Sequence, residues 1–116
     1  MVDRKIENGY AVEYLVFEVN PELIDQFIEM DHKYWTLFLK DKPGFISKEV
    51  WVNKTKPGEV SMITYWNTME EWKSIPVEEL IETGKTFAEA FGEKYFKLVK
   101  EVHKENALYK VREYRL

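Results

Sequence analysis

The chain has 116 residues, of which 45% are hydrophobic and 16% aromatic, enough to build the core of a single domain. Its 17 basic and 21 acidic side chains leave a net charge of -4 with no dense Lys/Arg run, which argues against nucleic acid or another polyanion as partner. The absence of cysteine excludes disulfides, thiolate catalysis and zinc–thiolate sites. No apolar run reaches spanning length, and MVDRKIENG is polar where a secretory leader is apolar, so a cytoplasmic protein with no membrane partner is expected.

Residues 1–9 read as a candidate disordered tail ahead of a single domain. YAVEYLVFEV (10–19) is rich in β-branched and aromatic residues and predicts a first strand, closed by Asn20-Pro21. Asn20 is a good N-cap and Pro21 suits a first helical turn, and apolar residues then recur three and four apart from Leu23 to Leu39 until Pro43-Gly44. FISKEVWV (45–52) and EVSMITYW (59–66) predict a hairpin around the polar loop NKTKPG. Thr68 and Glu71 have capping-box spacing, opening a second helical region over roughly 69–91 with a break near Pro76. Over 93–105 the spacing of Tyr95, Phe96, Leu98, Val99 and Val102 favours a short helix, with a strand as the alternative, before a last strand LYKVREYRL.

This order is βαββαβ, a ferredoxin-like α+β fold with a four-stranded antiparallel sheet and helices on one face. A sheet with one wet face alternates apolar and polar residues. Strand 1 instead carries Val12, Tyr14 and Val16 on one side and Ala11, Leu15, Phe17 and Val19 on the other, and strand 3 is apolar on both sides as well. Exposing that surface forfeits several kcal/mol at about 25 cal/mol per Å². The simplest cover is a second copy, giving a homodimer through the sheet face with a barrel-like cavity between the sheets.

PGF opening strand 2, YW closing strand 3 and EEW in the next helix resemble the antibiotic-biosynthesis-monooxygenase superfamily of dimeric α/β-barrel proteins. DHKYWT, PGFISKEVWV and WNTMEEWKSIP resemble, more narrowly, a little-characterised subgroup of it. The resemblance covers about residues 10–92 plus the last strand. It implies a range of activities: cofactor-independent oxygenation of small aromatic molecules, haem degradation, or none. Haem degradation in that superfamily uses an Asn on strand 1, a Trp ending strand 3 and a His on the following helix. Trp66 matches the Trp, but 10–19 contains no Asn and 69–91 no His, so that activity is disfavoured. No cofactor is implied.

Among candidate site residues, Asp31 falls inside an unusually wide apolar arc of the first helix, between the Leu23–Phe27–Met30–Tyr34–Phe38 stripe and a flank holding Ile24, Ile28, Trp35 and Leu39. Partial desolvation there raises a carboxyl pKa and prepares a general base; the plainer reading is a rim Asp hydrogen-bonded to a backbone amide, to Trp35 or to a Tyr hydroxyl. Trp35 is placed to wall the same pocket. Asp25, Glu29 and His32 share one helix side, which suits either a divalent metal or water; opposition to the apolar stripe favours water, and no metal is expected. Alternation in strand 2 groups Phe45, Ser47, Glu49 and Trp51 against Ile46, Lys48, Val50 and Val52, with a charge on each side, so the inward side stays open. Glu49 beside Trp51 is a candidate acid in an aromatic cavity, and Glu13 makes a similar claim; each is equally an edge carboxylate paired with Lys or Arg. Trp51, Trp66 and Trp72 suit core or interface, while Trp66 is also a candidate catalytic residue and Trp51, Tyr65 and Tyr14 are candidate walls for an aromatic or hydrophobic ligand.

Three readings remain: a small-molecule monooxygenase without metal or flavin, a non-catalytic ligand-binding dimer, and a structural dimer whose interior is filled by its own side chains.

Overall fold

A computed structural model describes all 116 residues. The strands are β1 (Val2–Val19), β2 (Phe45–Val52), β3 (Glu59–Trp66), β4 (Phe96–Glu101) and β5 (Tyr109–Arg115). The helical elements are α1 (Ile24–Met30), a π-helical turn (Asp31–Thr36) running into α2 (Leu37–Leu39), then α3 (Met69–Lys73), α4 (Val77–Phe91) and α5 (Val102–Glu105). The antiparallel order β2-β3-β1-β4 is the ferredoxin-like core, with β5 added along β1. Helices cover one face, and within one chain the sheet stays open.

Local signals act largely as the sequence suggests. Asn20 Oδ1 accepts from the Glu22 N–H at 3.0 Å, and Thr68 Oγ1 accepts from the Glu71 N–H at 3.0 Å. The capping box is only half made: Glu71 Oε1 accepts from the Thr68 hydroxyl at 2.9 Å instead of from its backbone. Gly58, at φ +95°, ends the β2–β3 loop where an added Cβ would sit 2.7 Å from the Val19 carbonyl oxygen.

Three expectations are corrected. The segment Phe96–Glu101 is a strand, not part of a helix, and supplies the fourth ferredoxin strand; only Val102–Glu105 is helical. Its short apolar run fits either period, and pairing with the free edge of β1 decides it. The last strand is therefore a fifth one. Finally, residues 2–9 are no disordered tail: Val2–Lys5 pair with Arg112–Arg115 in an antiparallel ribbon. Its polar composition hid it because a two-stranded ribbon beyond the helices has no buried side to mark.

The β1 edge stays paired where β4 ends: the Tyr14 N–H reaches His103 Nδ1 at 3.2 Å and the Val12 N–H reaches the Leu108 carbonyl at 3.1 Å. Pairing across β1 and β3 puts Ala11, Glu13, Leu15 and Phe17 on the helix-covered face with Met62, Thr64 and Trp66. The opposite face carries Val12, Tyr14 and Val16 with Ser61, Ile63 and Tyr65.

The hydrophobic core beneath the helices is in two parts. One gathers Ala11, Leu39, Trp66, Trp72 and Ile75; the other gathers Val19, Phe27, Val60, Met62 and Phe87. Phe27 anchors the second, with ring centroids 5.3–5.6 Å from Phe17, Phe87, Phe91 and Phe96. Trp35 packs against both parts.

Candidate functional site

Between the two parts of the core lies a cavity of about 330 Å³, walled by apolar side chains from both, among them Phe27, Leu39, Trp72 and Phe87. That is the lower end of the size of small-molecule sites. Leu98 on β4 is the one exposed residue of the lining, so the cavity opens toward that sheet edge.

The helix side is set by a row four residues apart: Phe27, Asp31, Trp35 and Leu39 all line the cavity. In a regular α-helix, steps of four drift about 40° each, so such a row would wind off the cavity within three steps. The π turn at Asp31–Thr36, where the Leu37 N–H reaches the His32 carbonyl five residues back, unwinds the helix and keeps the row aimed inward. Asp25, Glu29 and His32 consequently face solvent.

Polar groups enter from the sheet. Glu13 Oε1 accepts from the Trp66 indole N–H at 3.1 Å, which satisfies the donor of a completely buried tryptophan. Burial raises the Glu13 pKa, with the Trp66 hydrogen bond and the charge of Lys48 opposing the rise. Glu13 retains some accessible area because it borders the cavity, although it is shielded from bulk water.

Asp31 is held by Lys48, whose Nζ lies 2.5 Å from Oδ2 and 3.0 Å from Thr36 Oγ1. Both charged side chains are less than a tenth exposed. Burial pushes the Asp31 carboxyl up even so, because the ion pair only partly replaces lost hydration. Glu101, also on the lining, pairs with Lys104 at 3.1 Å and lies 3.6 Å from His103 Nε2. His103 is enclosed against Trp72, ring centroids 4.9 Å apart, and burial lowers its pKa.

Of the residues singled out from sequence, Asp31 and Trp35 line the cavity and Trp66 buttresses it through Glu13. Glu49, Trp51, Tyr65 and Tyr14 do not: they sit together on the opposite face of the sheet. There Trp51 Nε1 donates to Glu49 Oε1 at 3.2 Å, Tyr14 meets Trp51 edge-on at 6.0 Å, and Lys110 lies over the Tyr65 ring at 4.6 Å. Burial and the adjacent Glu49 raise the Tyr65 pKa.

The strand 2 grouping was misread at one position. The register shifts between Phe45 and Ser47, which turns Phe45 to the helix side, against Trp66, while Ser47, Glu49 and Trp51 face away. Lys48 is therefore the charge on the helix side and Glu49 the one on the open face, and neither Lys48 nor Glu101 was singled out as a site residue. A lysine among Ile46, Val50 and Val52 was the available signal; Glu101 had none once its segment was taken for a helix.

No family model and no curated protein sequence matches the chain. Solved structures do. SnoaB, a cofactor-independent oxygenase from Streptomyces nogalater, superposes with a TM-score of 0.57 at 16% identity, over 78% of this chain and 87% of that one. A dimeric ferredoxin-like protein from an uncultured marine organism gives 0.58 at 14% identity, over 83% and 92%. A Caulobacter crescentus protein assigned provisionally as an antibiotic biosynthesis monooxygenase gives 0.56 at 14%, over 78% and 88%. Likeness at this identity is one of fold, and at that level the resemblance read from PGF, YW and EEW holds: the chain has the ferredoxin-like α+β fold of antibiotic-biosynthesis-monooxygenase-type structures.

Proposed function

We propose that the chain is a small-molecule oxygenase that binds an aromatic substrate in the cavity and reacts it with O₂ without a bound cofactor. The observation that carries this reading is Glu13: a carboxylate on the wall of a mostly apolar cavity, with one oxygen fixed by Trp66 and its pKa raised toward the working range of a general base. The likeness to a cofactor-independent oxygenase supports the reaction type.

Triplet O₂ reacts slowly with closed-shell molecules, so without a cofactor the substrate itself must supply the electrons. Glu13 takes a proton from a ring methylene acidified by flanking aryl and carbonyl groups. The resulting carbanion gives one electron to O₂, the radical pair combines to a peroxide, and the peroxide loses water. The balance is R₂CH₂ + O₂ → R₂C=O + H₂O. Lys48 is already paired with Asp31 and Thr36, so the charge that meets the enolate is the proton Glu13 has just taken up. Trp35 and Trp72 flank the flat substrate, and the apolar walls keep water from the carbanion.

In the same reading the open sheet face pairs two copies, with Trp51, Tyr14, Tyr65 and Glu49 at the contact. The 49% exposure of Trp51 and the dimeric state of one structural neighbour support this. A cytoplasmic location rests on the cysteine-free composition, and no helix is long and apolar enough to cross a membrane.

The test is oxygen consumption with anthrone, whose methylene lies between two aryl rings. The expected result is one O₂ consumed per ketone formed, faster than autoxidation, with Glu13→Gln losing about 10²-fold or more. Saturable binding of anthrone without oxygen uptake above background would leave a binding protein in place of an enzyme.

A further inference from the structure

The charges around the cavity are unequal. Its lining holds three carboxylates, Glu13, Asp31 and Glu101, against one ammonium, Lys48. Lys48 is taken up by Asp31 and Thr36, and Glu101 is met by Lys104. Glu13 has no cation within ion-pairing distance; its only side-chain partner is the Trp66 indole on Oε1, which leaves Oε2 open to the cavity. The nearby Lys73 is exposed and lies over the Trp72 ring at 4.0 Å.

We propose that Glu13 makes this cavity an anion-excluding site, whose ligand presents an N–H or O–H donor to the free Glu13 oxygen and carries no carboxylate, sulfonate or phosphate at that end. An ionised carboxylate only accepts hydrogen bonds, so a hydroxyl or ammonium fills its vacant valence. A ligand anion brought there meets a like charge at low dielectric, and the nearest ammonium groups are engaged elsewhere, Lys48 on Asp31 and Lys73 over Trp72. Glu13 is thus a specificity-determining residue as well as the base of the proposed reaction, its free oxygen meeting the acidic hydrogen of the substrate, which in an anthrone-like ketone is the enol O–H of its tautomer, and the inference rests on the cavity being the ligand site.

Three probes sharing one ring system separate the cases: 2-naphthol, 2-naphthylmethylamine and 2-naphthalenesulfonate, titrated calorimetrically into the intact protein at a series of pH values from about 5 to about 8, the expectations below being for the upper end. The two donor-bearing probes are expected to bind at least tenfold tighter than the sulfonate, and their relative affinities show whether hydroxyl or ammonium suits the site better. Glu13→Gln is expected to reduce that discrimination to threefold or less. Should the variant fold poorly, the wild type serves: as the pH falls and Glu13 takes up its proton, the sulfonate stays ionised, and the discrimination should shrink likewise. Overturning results are sulfonate binding within threefold of naphthol at the higher pH, discrimination unaffected by both the variant and the lower pH, or no saturable binding by any probe. Oxygen uptake is a separate readout: selective binding without turnover sinks the oxygenase reading and leaves the charge filter standing.

Discussion

On the helix-covered face of the sheet, acids and aromatics are enclosed together: Glu13 on Trp66, Asp31 on Lys48, with Trp35 and Trp72 as walls. On the other face the same residue types lie in the open, where Glu49 accepts from a half-exposed Trp51 and Tyr65 stands under Lys110. Alternation assigns residues to faces, but the covering element decides what a face does. Helices leave a cavity over the centre of their face because polar side chains there cannot interdigitate as the two apolar clusters on either side do. The other face is not evenly exposed: Ile63 at its centre is 2% exposed, while Trp51 on β2 is 49% exposed. Such a face suits a flat mate.

The sharpest contrast is energetic. Lys48→Met strands a buried Asp31 carboxylate and should cost about 3 kcal/mol in denaturant unfolding. Adding Asp31→Leu should recover most of that loss, since an apolar pair replaces a buried ion pair at little cost. If the single change is neutral, the pair is hydrated and the enclosed character of this face is wrong.

On the open face, Trp51→Ala removes an exposed aromatic and should weaken dimerisation by about 2 kcal/mol while leaving the cavity intact. Sedimentation at several concentrations checks this, and an unaltered equilibrium would move the contact elsewhere.

Smaller effects come from titration, and the two kinds of buried group have opposite signs. Glu13 and Asp31 have raised pKa values in the fold, so their share of stability is present at low pH and lost as pH rises through the folded values. Glu13→Gln should therefore raise the thermal midpoint by a few degrees at neutral pH, with the gain fading on acidification. His103 has a lowered value, so its share is present above its ordinary pKa of 6.5 and is lost as pH falls through the folded value. His103→Gln should flatten stability over that window, the smallest of these effects; an unchanged slope would place His103 in water.

Much of the fold was legible because its signals are local. Asn20-Pro21, Pro43-Gly44 and Thr68 with Glu71 bound elements by caps and turns that need no distant partner. What escaped depends on pairing. Phe96–Glu101 became a strand through the spare edge of β1, and Val2–Lys5 through β5, neither of which its own residues announce. The helix wall of the cavity was legible, since the width of the apolar arc pointed to Asp31 and Trp35, which line it. On the sheet the sequence led elsewhere for two reasons. A bulge at the start of β2 reversed the position of Phe45, and Tyr14, Glu49, Trp51 and Tyr65, expected around a cavity between two sheets, share the open face, apart from the cavity beneath the helices.

The most direct test of the central claim, that the ligand lies under the helices, is an intermolecular NOE map of 2-naphthol on the methyl-labelled protein. Contacts are expected to the methyls of Leu15, Met62, Ile75 and Leu80, which line the cavity. Contacts confined to Val12, Val16 and Ile63 would place the ligand on the open face and contradict the account.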